Sequence, residues 1–250
     1  MGYKKALSVF IDILGTKNSD FDALLSVNKI FHNELIRIKG NQMLCKKYVS
    51  SFSDCAYIIY NFNEYNGDDK TAFHLYIHEA LVDIAYTVSA ILLDGFLCRG
   101  GITYGELYYK ESKNFLFGPA INEAYKLENE AIMPRIVIDD KIGYDYYQRE
   151  GGFCKHNENF RRLIRKDIFD NRYYLNYLYA FSQFDDDVEY FDEKITLGDR
   201  EYNFFEFHSI LINNSSNLID NEKDYKIIAK HNWQLRYLNQ HKKERENYFN

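Results

Sequence analysis

Two aspartates, one near the end of a strand-like run and one in the break between two others, are the residues best suited to chemistry. Asp12 interrupts the apolar run Ala6–Leu14, and a carboxylate buried there is costly unless it is paired or bound to a metal. Asp54 lies in the short break between two further strand-like runs. If the fold joins them, the two carboxylates form a hard-oxygen site suited to Mg²⁺ or Mn²⁺. Taken singly, Asp12 could cap a helix or lie at an exposed strand edge, and Asp54 could be an ordinary turn residue.

The short loop after Asp12 is suited to binding phosphate. Gly15 permits close approach of a ligand to the backbone, and N–H groups at such a turn can cradle phosphate oxygens. Lys17 adds a positive charge. Because the loop directly follows a candidate metal ligand, we predict that Gly15, Thr16 and Lys17 contact a phosphorylated substrate.

The elements that must position these residues begin with a strand, a helix and a hairpin. Ala6–Leu14 predicts a buried strand, and apolar residues near helical spacing predict a helix over Asp20–Lys39. Cys45–Phe52 and Cys55–Phe62 predict two strands of a hairpin, because only two residues separate them.

A second helix and strand follow. The apolar stripe over Thr71–Asp94 predicts a long amphipathic helix. Phe96–Tyr109 predicts a strand that contains a pair of glycines beginning at Gly100, and glycine inside a strand indicates a bulge or the close approach of another backbone. A further helix begins near Pro119, and Arg135–Ile138 predicts a short strand.

This order of elements predicts an α+β fold of the ferredoxin-like, split βαβ type, with an antiparallel sheet covered by helices on one face. In that arrangement the first strand is central and pairs with the strand after Asp54, so the carboxylates of Asp12 and Asp54 meet. Tyr173–Phe181 is expected to add an edge strand.

The C-terminal quarter predicts an appended helical region. Phe204–Leu218 and Asp224–Glu246 show helical patterns, and the acidic stretch Gln183–Arg200 is the predicted linker. We therefore expect one domain over residues 1–182 and a C-terminal extension over residues 183–250.

Composition narrows the class of protein. The formal net charge of -6 argues against a nucleic-acid partner, since coating nucleic acid requires a basic surface.

The longest apolar stretch, Ala80–Leu97, is broken by Asp83 and Asp94, which are costly within a bilayer. No signal peptide is apparent, and the four cysteines form no CxxC pair. We expect a cytoplasmic protein without membrane insertion.

Several segments carry recognisable motifs. They are FIDILG (Phe10–Gly15), FSDC (Phe52–Cys55), RGGITYG (Arg99–Gly105) and FGPAINEAYKLE (Phe117–Glu128). In this order and spacing they resemble the class III nucleotidyl cyclases, over residues 5–140. The short FSD and RGGI forms resemble more closely the bacterial anti-phage pyrimidine cyclases of the Pycsar system, and two tail segments are similar to that group: RYYLNYL (Arg172–Leu178) and KHNWQLRYLNQH (Lys230–His241).

The resemblance implies a two-metal nucleotide cyclase. Asp12 and Asp54 would bind two divalent ions per site, Mn²⁺ or Mg²⁺, with the Ile13 carbonyl as a possible third ligand. One ion would activate the ribose 3′-hydroxyl, both would stabilise charge on the α-phosphate, and pyrophosphate would leave.

Three further residues take catalytic roles by the same resemblance. Asn122 matches the asparagine that positions the ribose. Lys126 stands where the family has an arginine against the α-phosphate, and lysine offers a point charge instead of a fork. Arg99 is a second candidate for binding phosphate, or alternatively a partner in a salt bridge at the sheet.

The residues at the positions expected to contact the base differ from those of the purine cyclases. Ser50 and Phe115 stand where similar adenylate cyclases carry a lysine and an aspartate. Tyr48, Ser50 and Phe52 alternate along one strand and share a face. Their size and polarity favour a pyrimidine, and UTP over CTP, although Tyr48 could equally serve sheet packing alone.

The resemblance also implies a homodimer with composite active sites, with Arg99–Gly105 at the two-fold interface. The expected product is cyclic UMP, a messenger in anti-phage defence that a separate effector protein would read. The alternatives are a cyclase of other base specificity (CTP or a purine) and a degenerate, nucleotide-sensing module. The presence of both Asp12 and Asp54 favours the enzyme. Lys126, in place of the family's arginine, leaves the nucleotide-sensing module as an alternative.

Overall fold

The structure is a computed structural model that describes residues 2–16, 19–37, 45–62, 70–151, 159–181 and 194–249. Within these residues the strands are Lys4–Leu14 (β1), Ile36–Arg37 (β2), Lys46–Phe52 (β3), Cys55–Asn61 (β4), Leu97–Lys110 (β5), Phe115–Phe117 (β6), Ile136–Ile138 (β7), Ile164–Lys166 (β8), Tyr173–Leu175 (β9), Ile195–Leu197 (β10) and Arg200–Tyr202 (β11). The α-helices are Phe21–Phe31 (α1), Lys70–Leu93 (α2), Pro119–Ala131 (α3), Asp140–Gly151 (α4), Phe204–Asn221 (α5) and Tyr225–Phe249 (α6).

The main sheet has eight strands, ordered β3-β4-β1-β5-β7-β9-β8, with β6 paired to β5. All its pairings are antiparallel except that of β5 with β7. Strand β1 is central, between β4 and β5, as predicted. The α+β, split βαβ prediction is therefore confirmed.

Helices cover both faces of this sheet, whereas we predicted cover on one face. Residues such as Leu7 and Ile11 of β1 point into the large core formed with α1 and α2. Their neighbours in the strand point the other way, where Phe10 packs with Ala124 of α3. The continuous burial of β1 from Ala6 to Ile11 reflects this two-sided cover, since a strand covered on both faces reads as an unbroken apolar run.

The two glycines of β5 allow α3 to approach. A Cβ atom on Gly101 would lie 2.2 Å from the Ala124 carbonyl oxygen, and one on Gly100 would lie 2.4 Å from the Phe10 carbonyl oxygen. The predicted close approach of another backbone is confirmed. Because the chain's own α3 and β1 make that approach, the expectation that the pair admits a second chain is wrong.

Two local predictions need correction. Helix α1 ends at Phe31, because Asn33 adopts a left-handed conformation with φ 60°, which asparagine tolerates well. Ile36–Arg37 then pairs with β10, and the predicted end of the helix, Lys39, lies outside the described residues. The segment Tyr173–Phe181 is a strand only over Tyr173–Leu175, and this strand lies between β7 and β8 and not at the edge. Its remainder is a buried 3₁₀ turn.

The two C-terminal helices are confirmed, and α6 packs onto the main sheet. Trp233 of α6 lies edge-to-face with Tyr174 of β9, at 5.8 Å between ring centroids, and the Tyr237 hydroxyl donates to Asn176. Residues 183–193 of the predicted linker lie outside the described residues. Its last part forms β10 and the turn to β11. The boundary between residues 182 and 183 stays a prediction.

Helix α2 is the core helix of the structure. In the described part of the chain it is the one helix long and apolar enough to cross a membrane by length and composition, and 78% of its most apolar window is buried inside the protein. Its Asp83 is 2% exposed and pairs with Lys47 of β3 at 2.6 Å. The pairing explains how a charge is accommodated in this apolar helix.

Candidate active site

The fold brings Asp12 and Asp54 together at one end of β1. Asp12 lies directly opposite Cys55 of β4, so Asp54, one residue earlier in the β3–β4 turn, is its near neighbour. The Ile13 amide donates to the Asp54 carbonyl oxygen at 3.0 Å and fixes the turn against β1. Since the N–H and carbonyl of a strand residue point to the same side, the Ile13 carbonyl also points toward this turn.

The predicted phosphate loop adjoins the second carboxylate. The Thr16 hydroxyl donates to Asp54 Oδ2. Gly15 has a φ of +89° and open space where a Cβ would be, which leaves its backbone accessible to a ligand. Lys17 lies outside the described residues.

Burial and like charge both disfavour ionised Asp12. Burial raises the pKa of the Asp12 carboxyl, Arg99 opposes that shift, and the Asp54 charge adds to it. A divalent cation would relieve both effects, because it favours the charged form of both carboxylates.

Arg99 lies between two acidic residues. It stands opposite Asp12 in the β1–β5 pairing, and its Nε and Nη2 each donate to Asp12 Oδ2 at 3.4 Å. Its Nε also lies 2.5 Å from Glu128 Oε1 of α3. The salt-bridge interpretation of Arg99 is therefore observed, and its binding of phosphate stays a prediction.

Helix α6 supplies a cation that sequence reasoning missed. Burial lowers the pKa of Lys230; the Arg99 charge adds to that shift and the Asp12 charge opposes it. Lys230 begins the tail motif KHNWQLRYLNQH, so the sequence does mark this residue, through the family resemblance of its segment, but not as part of the site.

Tyr48 and Ser50 share one partner. The Tyr48 and Ser50 hydroxyls both donate to Asn114 Oδ1, each at 2.9 Å. Tyr48 is 7% exposed and its ring stacks on Tyr109 at 5.5 Å between centroids, so most of the side chain serves sheet packing. An open cavity of about 490 Å³ lies beside this group, lined by His32, Lys47, Tyr48, Val49, Glu111 and Asn114.

The remaining predicted residues lie on exposed surfaces. Asn122 is on the solvent side of α3, and Lys126 Nζ pairs with Glu123 and Glu130 of the same helix at 3.2 and 3.9 Å. Phe115 is 51% exposed on β6. The structure thus gathers Asp12, Ile13, Asp54, Thr16 and Arg99 at one place and leaves Asn122, Lys126 and Phe115 facing outward.

The donor set fits a magnesium or manganese ion. No cluster of three or more His, Cys, Asp or Glu suited to a metal occurs among the described residues. Two carboxylates and a carbonyl are nevertheless what such an ion takes when it shares its shell with substrate phosphates and water. Asp12, Asp54 and Ile13 would hold it.

No family model matches the chain, and no curated protein matches it. Among solved structures it is similar to the guanylate cyclase domain of RhGC from Catenaria anguillulae in complex with GTP, at 14% identity over 70% of this chain and 97% of that one, with a TM-score of 0.40. It is also similar to the dimeric guanylyl cyclase domain of the RhoGC fusion protein from Blastocladiella emersonii, at 16% identity over 59% and 86%, with a TM-score of 0.41.

A third similar structure is a bacterial light-regulated adenylyl cyclase, at 14% identity over 71% of this chain and 53% of that one, with a TM-score of 0.37. All three are nucleotide cyclases.

Proposed function

We propose that the protein is a nucleotide cyclase that converts a pyrimidine nucleoside triphosphate, with UTP favoured, to the 3′,5′-cyclic monophosphate and pyrophosphate. The observation that carries the proposal is the junction of Asp12 and Asp54 at the end of β1, with the Thr16 hydroxyl on one carboxylate and Arg99 on the other. It combines a hard-oxygen donor set, a glycine turn and a cation, which are the components that phosphoryl transfer requires.

Each of these groups has a separate task in the proposed reaction. Two divalent ions, when bound, would supply charge neutralisation at the phosphates and activation of the 3′-hydroxyl. The Gly15–Thr16 backbone would hold phosphate oxygens, and Arg99 would add charge-assisted hydrogen bonds to them. Lys126 would approach the α-phosphate as a point charge.

The base would bind beside Tyr48 and Ser50. Because both hydroxyl protons are directed to Asn114, their remaining lone pairs can accept hydrogen bonds from a base N–H. The packed Tyr48 ring limits the space at this edge of the sheet, which favours a small base.

A homodimer would complete the site. On the face of the sheet that carries Asp12, four aromatic rings are in successive contact: Phe52, Tyr57, Phe10 and Tyr125. Phe52 and Tyr125, at the two ends, are 54% and 51% exposed, as is common at surfaces that bind a partner. Asn122 and Lys126 face outward on the same helix as Tyr125. A second copy on this surface would bring its Asn122 and base-binding residues to the metal site.

The proposed role is that of a cytoplasmic messenger synthase in anti-phage defence, with the cyclic nucleotide read by a separate effector protein. This part of the proposal rests on the resemblance of the FSD, RGGI and tail motifs to the Pycsar cyclases.

Incubation of the pure protein with Mn²⁺ and each of the four nucleoside triphosphates, followed by mass spectrometry, tests the activity. We expect cyclic UMP as the main product from wild type and none from Asp54→Asn. Preference for ATP or GTP over both pyrimidines contradicts the base assignment alone. No cyclic product from any triphosphate contradicts the activity.

One observation favours a second candidate, a nucleotide-sensing module without turnover. The charge of Lys126 is shared with Glu123 and Glu130, which weakens it as a phosphate ligand. A sensor would bind UTP with Mn²⁺ in calorimetry and return it unchanged.

A further inference from the structure

Glu128 is a buried acid that faces the candidate site from α3. Its side chain is 2% exposed, and a carboxylate so buried requires a charged or hydrogen-bonding partner. Oε1 lies 2.5 Å from Arg99 Nε. Oε1 has no hydrogen-bond partner among the described residues, so its interaction with Arg99 is an ion pair.

Arg99 is therefore shared unequally between two carboxylates. Its distance to Asp12 Oδ2 is 3.4 Å, against 2.5 Å to Glu128. Asp12 is also the more exposed partner, at 25% against 2%. Arg99 also donates two hydrogen bonds to Asp12, but both are long, at 3.4 Å. Coulomb attraction grows with proximity and with the loss of solvent, so the charge of Glu128 attracts the guanidinium more strongly. The contact between Arg99 and Asp12 is longer and more exposed to solvent.

We propose that Glu128 is a positioning residue that holds Arg99 on the α3 side, so that the Asp12 carboxylate stays available to a divalent cation. The inference rests on the proposed function, because it requires a cation at Asp12. Without the Glu128 charge, Arg99 has Asp12 as its nearest carboxylate and would close onto it. The guanidinium would then compete with the metal for the same oxygen atoms.

Binding of Mn²⁺ without nucleotide, read from the loss of the free-ion electron paramagnetic resonance signal, tests this idea independently of turnover. We expect Glu128→Gln to raise the Kd for Mn²⁺ about 10-fold to 100-fold, the usual effect of losing a group that orients a metal ligand. The matched control is Glu130→Gln, which removes the same charge two residues later, where the carboxylate pairs with Lys126 and Arg172. It should bind Mn²⁺ as wild type does.

Two further variants separate position from charge. Glu128→Asp keeps the charge but shortens its reach to Arg99, and it should also weaken Mn²⁺ binding. Adding Arg99→Met to Glu128→Gln removes the competing cation and should restore the wild-type Kd. Circular dichroism and thermal melts establish that each variant is folded.

Wild-type binding by Glu128→Asp would show that only charge matters and would overturn the inference. So would a double variant that stays as weak as Glu128→Gln. If wild type binds no Mn²⁺, or if Asp12→Asn binds it equally well, the metal site of the proposed function fails together with the inference. If Mn²⁺ binds at Asp12 but no triphosphate is cyclised, the activity fails while the role of Glu128 can still be measured.

Discussion

Gly101 of β5 lies so close beneath Ala124 of α3 that a Cβ atom on Gly101 would be 2.2 Å from the Ala124 carbonyl oxygen. The same atom would be 2.6 Å from Leu127 Cβ and 2.9 Å from the Glu128 amide. Two of these three neighbours are backbone atoms, which cannot rotate away. This contact sets the height of α3 above the sheet and, with it, the position of Glu128.

Gly101→Ala should therefore destabilise the protein by at least about 2 kcal/mol, the cost of overpacking where the backbone must move. Urea unfolding followed by circular dichroism measures the change. The matched control is Gly105→Ala in the same strand, whose Cβ would meet only Ala120 at 3.4 Å. Equal stability of the two variants would contradict the tight packing of α3 on Gly101.

Asp12→Asn and Asp54→Asn should each abolish Mn²⁺-dependent turnover, because each removes a carboxylate from the proposed metal site. Product formation by mass spectrometry is the measurement, with the exposed Asp22→Asn of α1 as control. Activity within tenfold of wild type in either variant would rule out that residue as a metal ligand.

Asp12→Asn should also leave the metal-free protein at least as stable as wild type at neutral pH. Burial raises the pKa of Asp12, so the folded state holds this proton more tightly than the unfolded chain. Ionised Asp12 then costs stability as the pH rises through the interval between its ordinary and its raised pKa. Thermal melts without metal check the sign, and a clearly lower Tm for the variant would contradict it.

Mixing Asp54→Ala subunits with Asn122→Ala subunits should restore part of the activity. If the metal residues and the ribose residue of one site come from different chains, one of the two sites in the mixed dimer is intact. Subunit exchange is verified by mass spectrometry of differently tagged chains. Exchange without recovery would mean that each chain holds a complete site.

Tyr48→Ala should lower kcat/KM for UTP at least about tenfold, equivalent to ~1.4 kcal/mol, and should relax the rejection of purine triphosphates. The ring fills space, and its hydroxyl is fixed by Asn114. Tyr48→Phe, which keeps the ring, should retain the rejection of purines and lose only the hydroxyl contribution. Unchanged discrimination in Tyr48→Ala would leave sheet packing as the role of this residue.

Glu150→Gln should gain stability relative to wild type as the pH rises from about 4.5 to about 7. Burial raises the pKa of Glu150 to about 7, although the Leu163 and Ile164 amides that donate to its two oxygens oppose the shift. In this interval the unfolded chain releases the proton and the folded state keeps it, so wild-type stability falls with rising pH. The difference in Tm between variant and wild type, measured at pH 4.5, 6 and 7.5, should grow with pH. A constant difference would contradict the raised pKa.

Local patterns in the sequence predicted the elements near the site. The two-residue break before Cys55 specifies a hairpin, and the apolar stripe over Thr71–Asp94 specifies a helix, because turn chemistry and periodicity act between close neighbours. The prediction of one long helix over Asp20–Lys39 is wrong for a local reason as well. Asn33 adopts a left-handed backbone conformation, and the helix ends before it.

The sequence by itself determined the α+β class, the central first strand and the meeting of Asp12 with Asp54, since all three follow from the order of strands and the hairpin between two of them. Only the tertiary structure decided that α3 lies on the face opposite α1 and α2. That placement brings Glu128 against Arg99. Long-range packing also brings Lys230 near Asp12. It places Asn114 against Tyr48 and Ser50. These partners are from tens to more than two hundred residues apart in the chain. Contacts of that kind depend on how buried surfaces fit together, which no local spacing encodes.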